Sequence, residues 1–304
     1  MNDHSISFLT IFTAPKPFTN PHIATIQRNA IRSWLALGDL VEVILLGNED
    51  GIAETAEELR TQHLPDVEHN DKGTPLVSSI FKLAHQFSQS PVMTYANADM
   101  ILLSDFLPAV QQVAGLHKDF LVVGRRWNLD ITEPITFNDH WERKLREEIQ
   151  AKGKLYTPYG IDYFVFPRHL YTQVPDFAIG RPAWDNWMVH HATDQGWFVL
   201  EATESITVVH QNHDYSHLPQ GKPPYGSEEA LRNIALAGGL KNIMNITDAK
   251  HRLVGGKIRR QPLTLVRLIR LVERVLITDQ QQGWRWWLVL KLRKAQLKIW
   301  SSGS

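Results

Sequence analysis

The strongest constraint on this chain is the alternation of short apolar runs with amphipathic segments through its first 126 residues. SISFLTIFT (5–13) is an apolar run that stops at Ala14-Pro15-Lys16-Pro17, and VEVILLG (41–47), PVMTYANAD (91–99) and DFLVVGRR (119–126) repeat the pattern. Between the first two, Ile23, Ile26, Ala30, Ile31, Trp34 and Leu35 recur on one helical face. Residues 52–62 and 74–90 carry helical patterns of their own. Near-continuous apolar strands separated by helices predict an α/β fold: a mostly parallel, Rossmann-like sheet with helices on both faces.

Sheets of that kind bind ligands beyond the carboxyl ends of their strands. The polar clusters of this sequence fall at those ends: Thr13 to Lys16, Asn48 to Asp50, Asn97 to Asp99, and Arg125 to Asp130. No GxGxxG follows the first strand and no GxxxxGK[ST] occurs, which excludes a dinucleotide fingerprint and a P-loop. The chain has no cysteine, so a metal would be held by oxygen or imidazole; a reducing cytoplasm fits the same composition. Asp99 sits between two apolar runs, where a carboxylate is costly unless it is paired. It either binds a cation, or it shapes a turn and caps the segment near Ser104.

The second half has a different texture. YGIDYFVFP (159–167) is an aromatic-rich strand, and GRPAWDNWMVHHATDQG (180–196) is a loop entering a helix. WFVLEATESITVVHQNHDYSH (197–217) holds one or two strands ending in His210, His213 and His217 around Asp214. His210 and His213 point to opposite faces of a regular strand, so both reach one ion only if the chain bends between them.

The order strand, helix, strand, helix, helix, strand, followed by Asn97-Ala98-Asp99, an aromatic-rich half and a late histidine, resembles the GT-A glycosyltransferases over about residues 5–217. The resemblance implies a nucleotide-sugar donor and a divalent metal, Mn²⁺ or Mg²⁺, at a DxD-like motif in which Asn97 replaces the first aspartate. It assigns the metal to Asp99 with His210 or His213, and Asn97 to a ribose hydroxyl or to the support of the metal site. Thr13, Ala14 and Pro15 would approach base and ribose, and Asn48, Glu49 or Asp50 a base edge; solvated turns are the plain alternative. Arg125 and Arg126 would face diphosphate or sugar, or form surface ion pairs. Asp185 matches the base of inverting members at the start of a helix, and an N-terminal cap is its structural reading. Trp127, Trp184 and Trp187 would stack on an acceptor sugar or pack in the core. A sugar nucleotidyltransferase is the alternative enzyme, although APKPFTN lacks the glycine-rich basic loop expected of one; a non-catalytic carbohydrate-binding protein is the alternative outside catalysis.

Charge divides the chain at about residue 255, into a catalytic domain (1–255) and a basic amphipathic helical tail (256–304). Residues 257–300 hold 11 Lys and Arg against Glu273 and Asp279, so the tail is +9 and the neutral whole leaves a body of −9. A body of that sign argues against nucleic acid as a partner. Arg267, Arg270 and Arg274 recur on one helical face with Leu, Ile and Val around them, and WRWWLVLKLRKAQLKIW repeats the idea with Lys291, Lys294 and Lys298. The tail is expected either to lie on an anionic membrane, with a lipid-linked glycan as acceptor, or to pack on protein. MNDHSISFLTIF has no basic segment ahead of its apolar run, which argues against a signal peptide.

Overall fold

The computed structural model describes residues 6–213 and 226–302; Asp214, His217 and residues 219–225 of the following loop lie outside them. Strand β1 (Leu9–Thr13) leads through helix α1 (Pro21–Leu35) to β2 (Val41–Leu46), α2 (Ile52–Leu59) and β3 (Gln62–Leu64). Then come α3 (Val77–Phe87), β4 (Val92–Ala96), β5 (Met100–Leu102), α4 (Phe106–Leu116), β6 (Phe120–Val123) and β7 (Trp127–Leu129). They are followed by α5 (Trp141–Lys152), β8 (Lys154–Leu155), β9 (Tyr163–Pro167), α6 (Trp184–Asp194), β10 (Phe198–Glu201) and β11 (Val208–Gln211). The rest comprises α7 (Glu228–Leu236), β12 (His251–Val254), β13 (Lys257–Arg260), α8 (Leu265–Leu276) and α9 (Gly283–Ser302).

The large sheet has nine strands in the order β13-β12-β10-β6-β9-β4-β1-β2-β3. It is mostly parallel, as the alternating pattern predicts: β4, β1, β2 and β3 run together, and so do β6, β10 and β12. Strand β9 lies antiparallel between β4 and β6 and joins the two groups. Successive residues of one strand feed two cores. Leu9 and Ile11 of β1 pack with α1 and α4 on one face, through Trp34, Phe106 and Val110. Phe12 packs with α3 and α6 on the other, through Phe81, Trp184 and Met188. Helices therefore cover both faces, as a sheet buried on both sides requires.

A second sheet, β5-β11-β7-β8, was not apparent from the sequence. Ile101, Leu103, Leu129 and Val209 make a third core beneath it, on which Trp127 packs. The apolar run after Asp99 is thus a strand of a different sheet, and Asp99 occupies the crossing from one sheet to the other. β1 has β2 on one side and β4 on the other, so the chain's winding reverses beside β1, and the crevice beyond the carboxyl ends of β1 and β4 is where such folds bind ligands.

Gly255 and Gly256, both at positive φ, form the turn of the β12–β13 hairpin, so residues 257–260 belong to the large sheet. The basic face expected of α8 is not a solvated stripe. Arg270 is buried, its guanidinium donating to Asp248 Oδ2 at 2.9 Å and pairing with Glu273 at 2.9 Å, while Arg267 and Arg274 are half-buried. Glu273 also accepts from Arg293 at 2.7 Å and Gln296 at 2.8 Å, which ties α9 to α8. Among the described residues no helix is long and apolar enough to cross a membrane.

Candidate active site

Four segments meet beyond the carboxyl ends of β1 and β4, around a cavity of about 890 Å³. Ala14, Pro15 and Lys16 come from the loop after β1, Asn97 and Asp99 from the end of β4, Trp184 and Asp185 from the start of α6, and His213 from beyond β11.

Asp99 is set by its backbone. Its carbonyl accepts from both the amide N–H and the side-chain Nε2 of Gln211, each at 3.2 Å. Gln211 is fully buried; Nε2 also donates to Ile26 O at 2.7 Å, and Oε1 accepts from Asn29 Nδ2 at 3.0 Å. Strand β11 stops at Gln211, where Asn212 N–H makes the last ladder bond, to Leu129 O at 2.9 Å. His213 lies past the end of the strand, so strand alternation does not hold it on the face opposite His210. His213 Nε2 lies 3.0 Å from Asp99 Oδ2 and His210 Nε2 3.7 Å from it, and the three ligand atoms fall within 4.8 Å of one another.

The three groups tune one another. Burial pushes the Asp99 carboxyl up, but His210, His213 and Lys16 together hold it well below the usual carboxylate range. Burial pushes His210 down, against the pull of Asp99, towards the neutral imidazole that ligates metals. Asp99 Oδ1 and His210 Nδ1 are buried without a protein partner. One carboxylate and two imidazoles with ligand atoms this close together fit a divalent cation.

Asp185 has a different environment. Ala183, not Asp185, is the N-cap of α6, at φ 90° and with no side-chain hydrogen bond, and Asp185 stands in the first turn with its carboxylate near backbone N–H groups of the helix start. A non-glycine residue held in the left-handed region stores strain of the kind that functional sites retain. Burial pushes the Asp185 carboxyl up to about 7, beyond what the backbone N–H groups of Asn186, Asp185 and Ala183 recover. Asp185 Oδ1 is buried and has no protein partner.

Other residues fall on both sides of expectation. Ala14, Pro15, Glu49, Asn97, Arg126 and Trp184 line the cavity, and Glu49 Oε2 is buried and unpartnered. Arg126 pairs with Asp162, which also accepts from Asn97 Nδ2 at 2.9 Å. Thr13 is buried at the end of β1, and Asn48 and Asp50 lie off the cavity; the carbonyl of Asp50 holds Phe18 N–H at 2.7 Å. Arg125 turns away to donate to Tyr156 O at 2.6 Å and cover the Trp300 ring at 4.5 Å, so it clasps α9 rather than facing a diphosphate. Trp127 is partly buried against the third core, and Trp187 stacks on His191 at 4.6 Å in the core around Phe12 and Met188; neither lines the cavity. Of the three tryptophans Trp184 alone lines the cavity, edge-on to Tyr95 at 5.0 Å.

Sequence reasoning assigned no role to Lys16, Asp162, Asn29 or Gln211. The Lys16 backbone is clamped by Gln27, which accepts from its N–H at 2.7 Å and donates to its carbonyl at 2.9 Å. Burial lowers the Lys16 ammonium against the attraction of Asp99. A signal for Gln211 was present: it shares a strand face with Val209, a polar residue in an apolar register.

No family model matches the chain, and no curated protein does. Among solved structures it is similar to glucosyl-3-phosphoglycerate synthase from Mycobacterium tuberculosis in complex with Mn²⁺, uridine diphosphate and glucosyl-3-phosphoglycerate. That similarity covers 86% of this chain and 89% of that one at 15% identity, with a TM-score of 0.48. The same enzyme with Mg²⁺ and uridine diphosphate gives 15% identity and 0.45 over 86% and 89% of the two chains. A mycobacterial protein gives 18% and 0.46 over 77% and 76%. At this level of identity and superposition, function has to be argued from the geometry of the site.

Proposed function

We propose that this chain is a metal-dependent glycosyltransferase of GT-A type, moving a sugar from a nucleotide-sugar donor to an acceptor hydroxyl with inversion. One observation carries the reading: a buried, unpartnered carboxylate oxygen on Asp185 shares one cavity at the carboxyl ends of β1 and β4 with Asp99 and His213, which His210 joins from behind the lining in one cluster. A cation site and a separate base are the two devices that a displacement at an anomeric carbon needs.

Asp99, His210 and His213 would hold the metal. The pair of imidazoles suits Mn²⁺ better than Mg²⁺, which prefers an all-oxygen shell. When bound, the ion supplies positive charge against the leaving diphosphate. Lys16 adds a cation on the same wall, and its partial desolvation strengthens its pull on phosphate. Arg126, already oriented by Asp162, presents a guanidinium to the donor. Glu49 accepts a hydrogen bond from base or ribose through Oε2, and Trp184 limits the sugar on the α6 side.

Asp185 takes the proton of the acceptor hydroxyl as its oxygen bonds to the anomeric carbon. The bond from that carbon to the diphosphate breaks on the opposite side, and the nucleoside diphosphate leaves with the electron pair. A carboxyl near neutrality is matched to this task, since it is half ionised at working pH and basic enough to accept the proton. The acceptor is the hydroxyl of a glycan or of a membrane-borne glycolipid. Incubation with a panel of nucleotide sugars and Mn²⁺ tests the reading: slow donor hydrolysis, lost on chelation and in Asp99→Ala, is expected. No turnover of any donor with the folded protein, or retention at the anomeric carbon of a product, would overturn it.

A further inference from the structure

Helix α8 is built inside out. Its inward face holds Val266, Arg270, Glu273 and Ile277, and its outward face holds Leu265, Leu268, Leu271, Val272 and Val275. Val275 is 75% exposed while Arg270 is 3% and Glu273 0% exposed. The charges are locked inward by Asp248, Arg293 and Gln296, so the helix cannot roll its leucines into the protein without stranding an ion-pair network. Helix α9 continues the apolar surface with Trp284, Trp287 and Leu290.

The charge carried by the same segment selects its partner. Lys257, Arg259, Arg260, Arg285, Lys291, Lys294 and Lys298 are exposed on the same segment, and Asp279 is the single exposed carboxylate between residues 257 and 302. Lys291 lies over the Trp287 ring at 5.3 Å, an ammonium beside an indole. Leucines flanked by lysine and tryptophan suit the boundary between acyl chains and anionic headgroups. A two-fold contact through the same face would bring two cationic rims together, which disfavours a second copy. We infer that the outward face of α8 and α9 is a docking surface for an anionic lipid bilayer. The acidic body is repelled by such a bilayer, so the contact orients the protein tail-first. The inward sides of the same two helices line the cavity through Arg270, Arg293 and Leu297, so the docked surface and the candidate active site share the helix pair. The inference rests on the tail and stands whether or not the transferase reading holds.

Cosedimentation of the full chain with vesicles tests it. The protein should pellet with phosphatidylserine-containing vesicles and stay in solution with pure phosphatidylcholine. Raising salt from about 0.1 M to about 0.5 M should weaken binding severalfold. Leu271→Gln/Val275→Gln, which alters no charge and replaces no cavity-lining residue, should lower bound protein at least tenfold while the unfolding temperature and donor hydrolysis stay unchanged. Recovery of the wild-type chain in the supernatant with both vesicle types would overturn the inference. So would full binding by the glutamine variant, which would make the contact purely electrostatic, or a solution dimer, seen by light scattering, that the same variant dissociates.

Discussion

Replacing Asp185 by asparagine should make the protein slower and more stable at once. The side chain keeps its size but can no longer ionise, so the acceptor hydroxyl loses its base and transfer should fall by about 10² to 10⁴. Stability moves the other way. In the folded chain burial lifts the Asp185 carboxyl from 3.8 to about 7. Well below pH 4 the group is neutral in both folded and unfolded chains, and near pH 4 the difference is still under about 1 kcal/mol. As pH rises from 4 to 7 the unfolded chain ionises first, and folding is penalised by an amount that reaches about 4 kcal/mol at and above pH 7. The asparagine variant is free of that penalty. The gain is at most this figure, because the amide also gives up hydration on burial. Chemical denaturation of both proteins should therefore differ little near pH 4 and separate above pH 6, with the variant more stable. In parallel, the wild-type rate should rise with pH and level off above about 7, at roughly a tenth of its plateau one pH unit lower. A variant that turns over normally, or one less stable than wild type at pH 8, would show that Asp185 supports the helix and is not a base.

Three further outcomes follow from the same geometry. Asp99→Ala should abolish Mn²⁺-dependent binding of nucleotide sugar in calorimetry while leaving cooperative unfolding intact, and His210→Ala or His213→Ala should weaken Mn²⁺ at least tenfold, roughly the effect of losing a supporting ligand. Gln211→Leu strands the buried Ile26 carbonyl and the Asn29 amide, so it should cost about 2–3 kcal/mol in urea unfolding and loosen the metal site with it. Arg270→Met leaves Asp248 and Glu273 without their shared cation; a loss of about 3–5 kcal/mol is expected, and Glu273→Gln in the same chain should restore part of it.

The first half of the molecule is legible because its pattern is local. Continuous apolar runs such as Val41–Leu46 and Val92–Ala96, separated by helical periods, admit little besides a sheet covered on both faces, and the polar residues at their carboxyl ends mark the crevice before any coordinates are known. Asp99, His210, His213 and Asp185 were visible for the same reason: each is a charged or ligating group interrupting an apolar context. What periodicity reports is which residues share a face, not which way that face turns. Arg267, Arg270 and Arg274 recur on one side of α8 in the sequence, yet only the approach of Asp248 to Arg270, and of Arg293 and Gln296 to Glu273, turns those charges inward and leaves the leucines outside. Arg125 and Arg126 are neighbours with the same chemistry, and in the link between β6 and β7 one reaches Trp300 and the other Asp162. The end of β11 at Gln211 is held by hydrogen bonds to Asp99 and Leu129, both remote from it in the chain. Charge, period and length act between neighbours in sequence and so can be read from it. The direction of a face and the meeting of distant ligands come from contacts between remote segments, and only the folded chain decides those.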